Sequence, residues 1–322
     1  MPNAPARARV PVIDLLKALA IVMVIWIHAF ADPWNTAALQ PFVILVSWAV
    51  PAFFFASGYL RYTTRPVDGA TLGRWLTRLV VPYTIATLLA LAYRRLGLRH
   101  NPEVLGVTFN LLTGSAWPVY YFVPMLAGAY LLAALLSRLP RAALPLFVLV
   151  APVVPCGLDP FPRHFGLFWL FRSPFMWWGY FLLGWLAAGG EARLESVGAT
   201  TRRRVGVGAA ALFAAITAVC FLPGSWRGLV WPPIVVANYA FLVSVFLLAH
   251  DVRARPLPRW LSDASYPIYL YHFFFTSAVR GDLVQLGTLA EPAAFVAGMA
   301  GSLGVVVLGR RLLGRCARLV LG

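Results

Sequence analysis

The sequence predicts an all-α polytopic membrane protein with about ten transmembrane helices and both termini in the cytoplasm. Three observations lead to this fold class. Of the 322 residues, 61% are hydrophobic and only 12% are charged, whereas a soluble domain has about 25% charged residues. Apolar runs close to the roughly 20 residues that cross a bilayer recur along the chain. Finally, the basic residues lie mainly between alternate runs, as in proteins that obey the positive-inside rule.

The apolar runs define ten predicted spans. They are 11–31, 41–60, 79–97, 118–137, 142–157, 167–188, 205–222, 230–249, 265–281 and 291–309. The fifth is the weakest, because Pro145, Pro152 and Pro155 interrupt it. The stretch 101–117 is only partly apolar and is predicted to be an outer loop or a re-entrant piece. Residues 1–322 are thus expected to form one membrane domain in contact with lipid, with no fused soluble domain.

The charge balance sets the predicted orientation. The chain has 27 Lys and Arg against 11 Asp and Glu, a net charge of +16. In a soluble protein this excess would indicate nucleic acid, but here 20 of the 27 lie on segments that share the side of the N-terminus and 7 on the other. Positive-inside topology therefore explains the excess, no nucleic-acid partner is expected, and an even number of spans is required.

The first span carries ionisable residues that are costly in a membrane and therefore candidates for function. Lys17 and His28 are eleven residues apart, which places them on one helix face about 16 Å apart along the axis. Asp14 precedes Lys17 by one turn and is expected to pair with it. This pattern fits a tunnel for acyl-coenzyme A, with phosphates at Lys17 and the thioester beside His28. The alternative is that Lys17 snorkels to lipid headgroups and His28 is structural.

Later spans contain further candidates, each with a structural alternative. Ser57 and Gly58 are small residues that allow close helix packing in membranes. Arg74 and Arg78 share a helix face at the inner start of span three and could bind phosphates, or only anchor the topology. His272 lies near mid-membrane in span nine and is either structural or catalytic. No residue pattern indicates a metal site, because the three cysteines are scattered.

Together these motifs resemble the membrane acyltransferase-3 family, whose members transfer acyl groups to sugars and other hydroxyl compounds. The resemblance runs along the chain in order. It includes the basic-residue, ten-intervening, histidine pattern at Lys17 and His28, the serine-glycine-aromatic signature Ser57, Gly58 and Tyr59, and the residues Arg74, Arg78 and Pro82. It continues through VYYFVPML around Tyr121, FMWWGYFLLGWLAA, and SYPIYLYHFFF around His272.

The resemblance implies roles for individual residues. His28 matches the family's catalytic histidine, and Lys17, Arg74 and Arg78 become candidates for binding acyl-coenzyme A. Asp14, Ser57, Gly58, Tyr59, Tyr121 and His272 are expected to support the site. Two positions depart from the family pattern: Lys17 stands where arginine is usual, and Tyr121 stands where tryptophan is usual, which could reshape the acceptor side.

The expected function is therefore a membrane O-acyltransferase. It would move an acyl group, acetyl by family resemblance, from cytoplasmic acyl-coenzyme A to a hydroxyl of a glycan, exopolysaccharide or lipid-linked sugar, in the bacterial inner membrane and without a metal. The alternative is a multi-span transporter of a polyol, glycan or proton. Against it, the sequence has no paired halves with matching broken helices.

Overall fold

The computed structural model describes residues 9–30, 45–96, 106–138, 168–222, 232–251, 256–282 and 289–322. This part of the chain is 85% helical and contains no strand. Its α-helices are α1 Pro11–Ala29, α2 Ala49–Arg61, α3 Gly69–Arg95, α4 Val107–Thr113, α5 Phe122–Leu136, α6 Pro174–Gly189, α7 Glu191–Ser196, α8 Ala199–Cys220, α9 Pro232–Leu248, α10 Pro256–Asp282, α11 Ala290–Leu313 and α12 Ala317–Leu321.

Nine of the ten predicted spans overlap one of these helices, and the fifth, 142–157, lies outside the described residues. Four helices are both long and apolar enough to cross a membrane. They are Pro11–Ala29, Gly69–Arg95, Ala199–Cys220 and Ala290–Leu313. The protein is an integral membrane protein with an all-helical fold, and the count of ten spans remains a prediction.

Several helices begin earlier than the apolar runs that predicted them. The side chain of Asp68 accepts a hydrogen bond of 2.6 Å from the Thr71 backbone N–H, so α3 starts at Gly69 instead of at 79. Hydrogen bonding to Thr71, first through its side chain and then through its backbone N–H, lowers the pKa of the Asp68 carboxyl. Helix α10 starts at Pro256, nine residues before its predicted span. Within the predicted loop 101–117, residues Val107–Thr113 form the short helix α4.

Helix α1 lies in the middle of the described bundle. It packs against α2, α10 and α11, and Val12, Leu16, Ile21 and Val24 are fully buried. By contrast, α8 packs mainly against α9 and leaves most of its apolar surface on the outside of the protein. In a chain with this composition, an apolar exterior of this kind indicates contact with lipid. The first helix is thus the most buried of the four long apolar helices, and its polar side chains face other helices of the protein.

Helices α1 and α10 run parallel to each other. Near their N-terminal ends, Asp14 accepts a hydrogen bond of 2.7 Å from Ser262. Near their C-terminal ends, the rings of His28 and His272 lie 5.6 Å apart between centroids. The chain that connects two parallel membrane helices must cross the membrane an odd number of times. Seven spans are predicted between α1 and α10, which agrees with this requirement.

Helices α2 and α6 make the closest backbone approach among the glycine contacts described. A methyl group on Gly58 would collide with the Phe181 carbonyl, and one on Gly184 would collide with the Phe55 carbonyl. Each glycine therefore leaves room for a backbone oxygen of the other helix, as small residues do at membrane helix crossings. This contact fixes the position of α2, which carries Ser57 just before Gly58 and Arg61 three residues after it.

Candidate active site

A cavity of about 490 Å³ opens between the N-terminal halves of α1 and α10, the C-terminal end of α2, and helices α3 and α5. We call it the Lys17 cavity. Three cationic side chains line it: Lys17, Arg61 and Arg78. The remaining polar lining comes from Ser57, Ser262, Asp263, Ser265 and three tyrosines, Tyr130, Tyr266 and Tyr269. A cavity with this excess of positive charge can bind a phosphate-bearing ligand.

The ammonium group of Lys17 makes no hydrogen bond or salt bridge within the described residues. The expected pairing with Asp14 is not formed. Instead, Nε and Nη2 of Arg9 donate hydrogen bonds to the two carboxylate oxygens of Asp14, at 2.5 and 3.0 Å. This hydrogen bonding to Asp14 raises the pKa of Arg9. A guanidinium fork matches a carboxylate better than an ammonium does. Lys17 is consequently left facing the cavity.

Arg61 was not among the predicted site residues. Its guanidinium carbon lies 5.3 Å from the centroid of the Trp75 ring and 5.1 Å from that of the Tyr130 ring. Two cation–π contacts hold such a side chain in place without using its N–H donors. Arg61 follows Ser57 by four residues, so both lie on one face of α2. This spacing is the sequence signal that could have identified Arg61 as a site residue.

The two predicted arginines of α3 separate in the structure. Arg78 lines the Lys17 cavity, whereas Arg74 does not. Arg74 is exposed and donates a hydrogen bond of 2.7 Å to the hydroxyl of Thr71. Arg74 lies one turn closer to the N-terminus of α3 than Arg78 does, so a shared helix face was not sufficient to bring both side chains to the cavity.

The deep end of the Lys17 cavity is aromatic and closed. Phe122 and Tyr269 line it, with ring centroids 5.0 Å apart. The hydroxyl of Tyr269 donates a hydrogen bond to the Val119 carbonyl. Tyr269 therefore ties α10 to the turn that precedes α5.

His28 and His272 lie one helical turn beyond this closed end. His272 follows Tyr269 by three residues on α10, and their rings are 6.0 Å apart between centroids. The next residue, Phe273, contacts His28 with a centroid distance of 5.8 Å. Arg280 donates a hydrogen bond of 3.4 Å to the backbone carbonyl of His28. His28 is thus near the Lys17 cavity but is not part of its lining.

The surroundings of His272 fix one form of its ring. The side chain is fully buried, and Nδ1 lies 2.8 Å from the Tyr269 carbonyl and 3.2 Å from that of Ile268. A carbonyl only accepts hydrogen bonds, so Nδ1 carries the hydrogen. In the neutral ring, Nε2 is then an acceptor, and it has no hydrogen-bond partner within the described residues.

The other predicted site residues lie in the scaffold. Gly58 forms the α2–α6 contact described above. The hydroxyl of Tyr59 donates a hydrogen bond of 2.6 Å to Glu191, and Tyr121 packs against Phe171 and Trp177 with centroid distances of 5.3 and 5.5 Å. None of the three lines the Lys17 cavity. The described residues also contain no group of three His, Cys, Asp or Glu side chains that could hold a metal ion.

A family model described as an acyltransferase domain matches residues 10–311 of the chain. The chain belongs to this acyltransferase family. The matched region includes α1, with Lys17 and His28, and α10, with His272. No curated protein and no solved structure matches the chain. As a member of the acyltransferase family, the protein is expected to use an acyl donor and an acceptor.

Proposed function

We propose that the protein is an O-acyltransferase that takes the acyl group from acyl-coenzyme A and transfers it to a hydroxyl of a glycan or a lipid-linked sugar. The observation that carries the proposal is the Lys17 cavity, which is lined by three cationic side chains. It ends one helical turn before the buried His272 and the partly buried His28. Acetyl is the expected acyl group, on the basis of the family resemblance.

The cations support binding of the donor's phosphates. Lys17 has no partner within the described residues, and Arg61 is held by aromatic rings that leave its N–H groups available. Arg78 adds a third charge from a different helix. Charge-assisted hydrogen bonds to phosphate are roughly twice as strong as neutral ones, so the phosphates would fix this end of the donor.

The separation between Lys17 and His28 supports the placement of the donor's reactive end. Both residues lie on α1, about 16 Å apart along the helix axis. The slim pantetheine arm would run along α10, past Tyr269, toward His28. The lining of the cavity reaches Tyr269 on α10 but does not include His28, so side chains between the two must move for the thioester to reach His28.

His28 would act as the general base. It takes the proton from the acceptor hydroxyl as the oxygen attacks the thioester carbonyl carbon. The resulting tetrahedral adduct collapses by breaking the carbon–sulfur bond, and the protonated His28 gives its proton to the departing thiolate. The products are the ester and free coenzyme A, and His28 returns to its neutral form.

The predicted topology gives this reaction a direction. With 20 of the 27 Lys and Arg on the side of the N-terminus, the Lys17 end of α1 would face the cytoplasm and the His28 end the opposite side. Acyl-coenzyme A would therefore bind from the cytoplasm, and the acceptor would approach His28 from the other face of what we propose is the bacterial inner membrane.

The direct test is the release of coenzyme A from acetyl-coenzyme A by purified protein in the presence of a hydroxyl acceptor. We expect His28→Ala to lower turnover by about 100- to 10,000-fold, the usual contribution of a general base, while donor binding and folding are retained. His272→Ala is expected to cost less. Near-normal turnover in a folded His28→Ala variant would contradict the assignment.

A further inference from the structure

We propose that the indole N–H of Trp117 stabilises the oxyanion that forms on the donor's carbonyl oxygen during acyl transfer. The inference rests on the proposed function and adds a residue to which no role has been assigned so far. Trp117 is only 5% exposed, and its Nε1 has no hydrogen-bond acceptor within the described residues. Because an indole nitrogen can only donate, it needs an acceptor.

Other tryptophans of this protein show what a satisfied indole looks like. Trp48 donates to the Leu45 carbonyl at 2.6 Å, Trp177 to the Phe171 carbonyl at 2.8 Å, and Trp178 to the Met125 carbonyl at 3.1 Å. Buried donors without acceptors are rare in native proteins, and each one requires an explanation. A donor kept available for a transient charge is such an explanation.

The Trp117 ring is linked to the histidine pair through a single side chain, Phe273. Its ring lies 5.0 Å from that of Phe273 between centroids. Phe273 in turn contacts His28 at 5.8 Å and His272 at 6.3 Å. One phenylalanine ring thus contacts the proposed base, the second histidine and the Trp117 ring that carries the unpaired N–H. The nearby His272 Nε2 is an acceptor, so it cannot stabilise a negative charge in the way that Trp117 can.

The turn that carries Trp117 is held from several sides. Arg94 donates a hydrogen bond of 3.2 Å to the Ala116 carbonyl, and the Trp117 carbonyl accepts one of 3.1 Å from the Tyr120 backbone N–H. The Trp117 ring also packs against Phe274 and Tyr93, at 5.6 and 6.0 Å between centroids. A donor held in place before the reaction needs no reorganisation when charge develops, which is how oxyanion holes act.

The acceptor oxygen forms a bond to the carbonyl carbon while His28 takes its proton, and the carbonyl π electrons move onto the oxygen. The Trp117 N–H donates to that oxygen without transferring its proton. When the carbon–oxygen double bond re-forms, the carbon–sulfur bond breaks and the thiolate takes the proton from His28.

The test compares Trp117→Phe with the control Trp177→Phe, each measured for turnover, donor dissociation constant and thermal unfolding. Trp117→Phe is expected to lower turnover by about 100- to 1,000-fold, as does loss of one oxyanion donor, with unchanged donor binding and a smaller loss of Tm than in the control, because no hydrogen bond is removed. Trp177→Phe is expected to keep turnover within a few-fold but to lower Tm, because the Phe171 carbonyl loses its donor.

Turnover of Trp117→Phe close to that of the wild type, alongside an inactive His28→Ala variant, would overturn this inference and leave the proposed function intact. Absence of coenzyme A release by the wild-type protein would instead contradict the proposed function itself. If Trp117→Phe does not fold, Trp117→His and Trp117→Met give the same comparison, because only histidine supplies an N–H. Higher turnover in the histidine variant supports the inference, and equal turnover overturns it.

Discussion

At the residue scale, the surroundings of Lys17 leave few possible roles for its side chain. It is partly buried, lines the cavity, and makes no ion pair within the described residues. Lys17→Met keeps the length of the stem but removes the charge. We expect it to weaken binding of coenzyme A by about tenfold or more, which corresponds to the loss of one charge-assisted contact of roughly 1.5–3 kcal/mol. Isothermal titration measures this directly.

Lys17→Arg is the matched variant, because it keeps the positive charge and approximate reach. It is expected to retain most of the donor affinity and turnover. The alternative, in which Lys17 only reaches toward lipid headgroups, predicts that Lys17→Met is tolerated, since methionine is stable in lipid. Full donor affinity in Lys17→Met would therefore show that Lys17 does not bind the donor's phosphates.

Three arginine variants in and near the cavity can be compared directly, because each removes one positive charge. Arg61→Gln and Arg78→Gln remove cations that line the cavity, and Arg74→Gln removes one that lies outside it. The first two are expected to raise the donor dissociation constant more than they lower kcat, because uniform binding is lost. Arg74→Gln should leave both quantities within about twofold. Equal effects of all three variants would mean that general surface charge, not the cavity, attracts the donor.

The sequence predicts residue chemistry better than it predicts residue partners. The spacing of Lys17 and His28 places them on one face of α1, and the structure shows both facing α10. The same reasoning assigned Asp14 to Lys17, and this was wrong, because Arg9 folds back from outside the helix and binds the carboxylate first. Contacts such as this one, and the ring contacts of Arg61, depend on the tertiary path of the chain.

At the scale of elements, the α2–α6 crossing predicts a sharp response to one methyl group. In Gly58→Ala the new methyl would collide with the Phe181 backbone, which cannot rotate away. Overpacking of this kind costs about 1–3 kcal/mol, so we expect a lower Tm and less monodisperse protein in detergent. Gly304→Ala, in α11, is the control, because nothing lies within 4 Å of its added methyl.

The expected effect of Gly304→Ala is neutral or slightly stabilising, by up to about 1 kcal/mol, since alanine favours helix more than glycine does. If Gly58→Ala unfolds at the same temperature as Gly304→Ala, the two helices do not approach as closely as described.

Helices were easier to predict from the sequence than their ends. Long apolar runs are recognisable because membrane helices need them, and nine of the predicted spans overlap helices. Boundaries were missed where polar residues continue a helix beyond its apolar part. In α10 the segment Pro256–Ala264 carries Ser262 and Asp263, and these residues line the cavity. The residues left out of the predicted span therefore include some that build the site.

At the scale of the whole molecule, Arg9 joins the N-terminal ends of two parallel helices. It bonds to Asp14 of α1 and, at 2.9 Å, to Asp263 of α10. Arg9→Gln leaves the buried Asp14 carboxylate with Ser262 as a remaining partner. We expect a loss of stability of about 1.5 kcal/mol, at the low end for charged hydrogen bonds because Arg9 is 36% exposed.

A double-mutant cycle with Asp14→Asn checks the pairing. If the two residues interact as described, Arg9→Gln combined with Asp14→Asn should be less destabilising than the sum of the single variants, because no unpaired carboxylate remains. Thermal unfolding of the four proteins gives the coupling energy. Additive effects would show that the ion pair contributes nothing to the association of α1 with α10.

The reciprocal glycine contact between α2 and α6 has a mechanical consequence. Each helix holds a carbonyl oxygen of the other beside a glycine, so sliding by one turn, 5.4 Å, would drive that oxygen against a side chain. The two helices are therefore expected to keep their register and to move together. Ser57 and Arg61 belong to this helix pair, whereas Tyr269, which lines the deep end of the cavity, and its hydrogen-bond partner Val119 do not. Any opening toward His28 must then displace α10 or the turn before α5. The donor's phosphates would therefore bind beside a helix that keeps its position, while the residues around its thioester move.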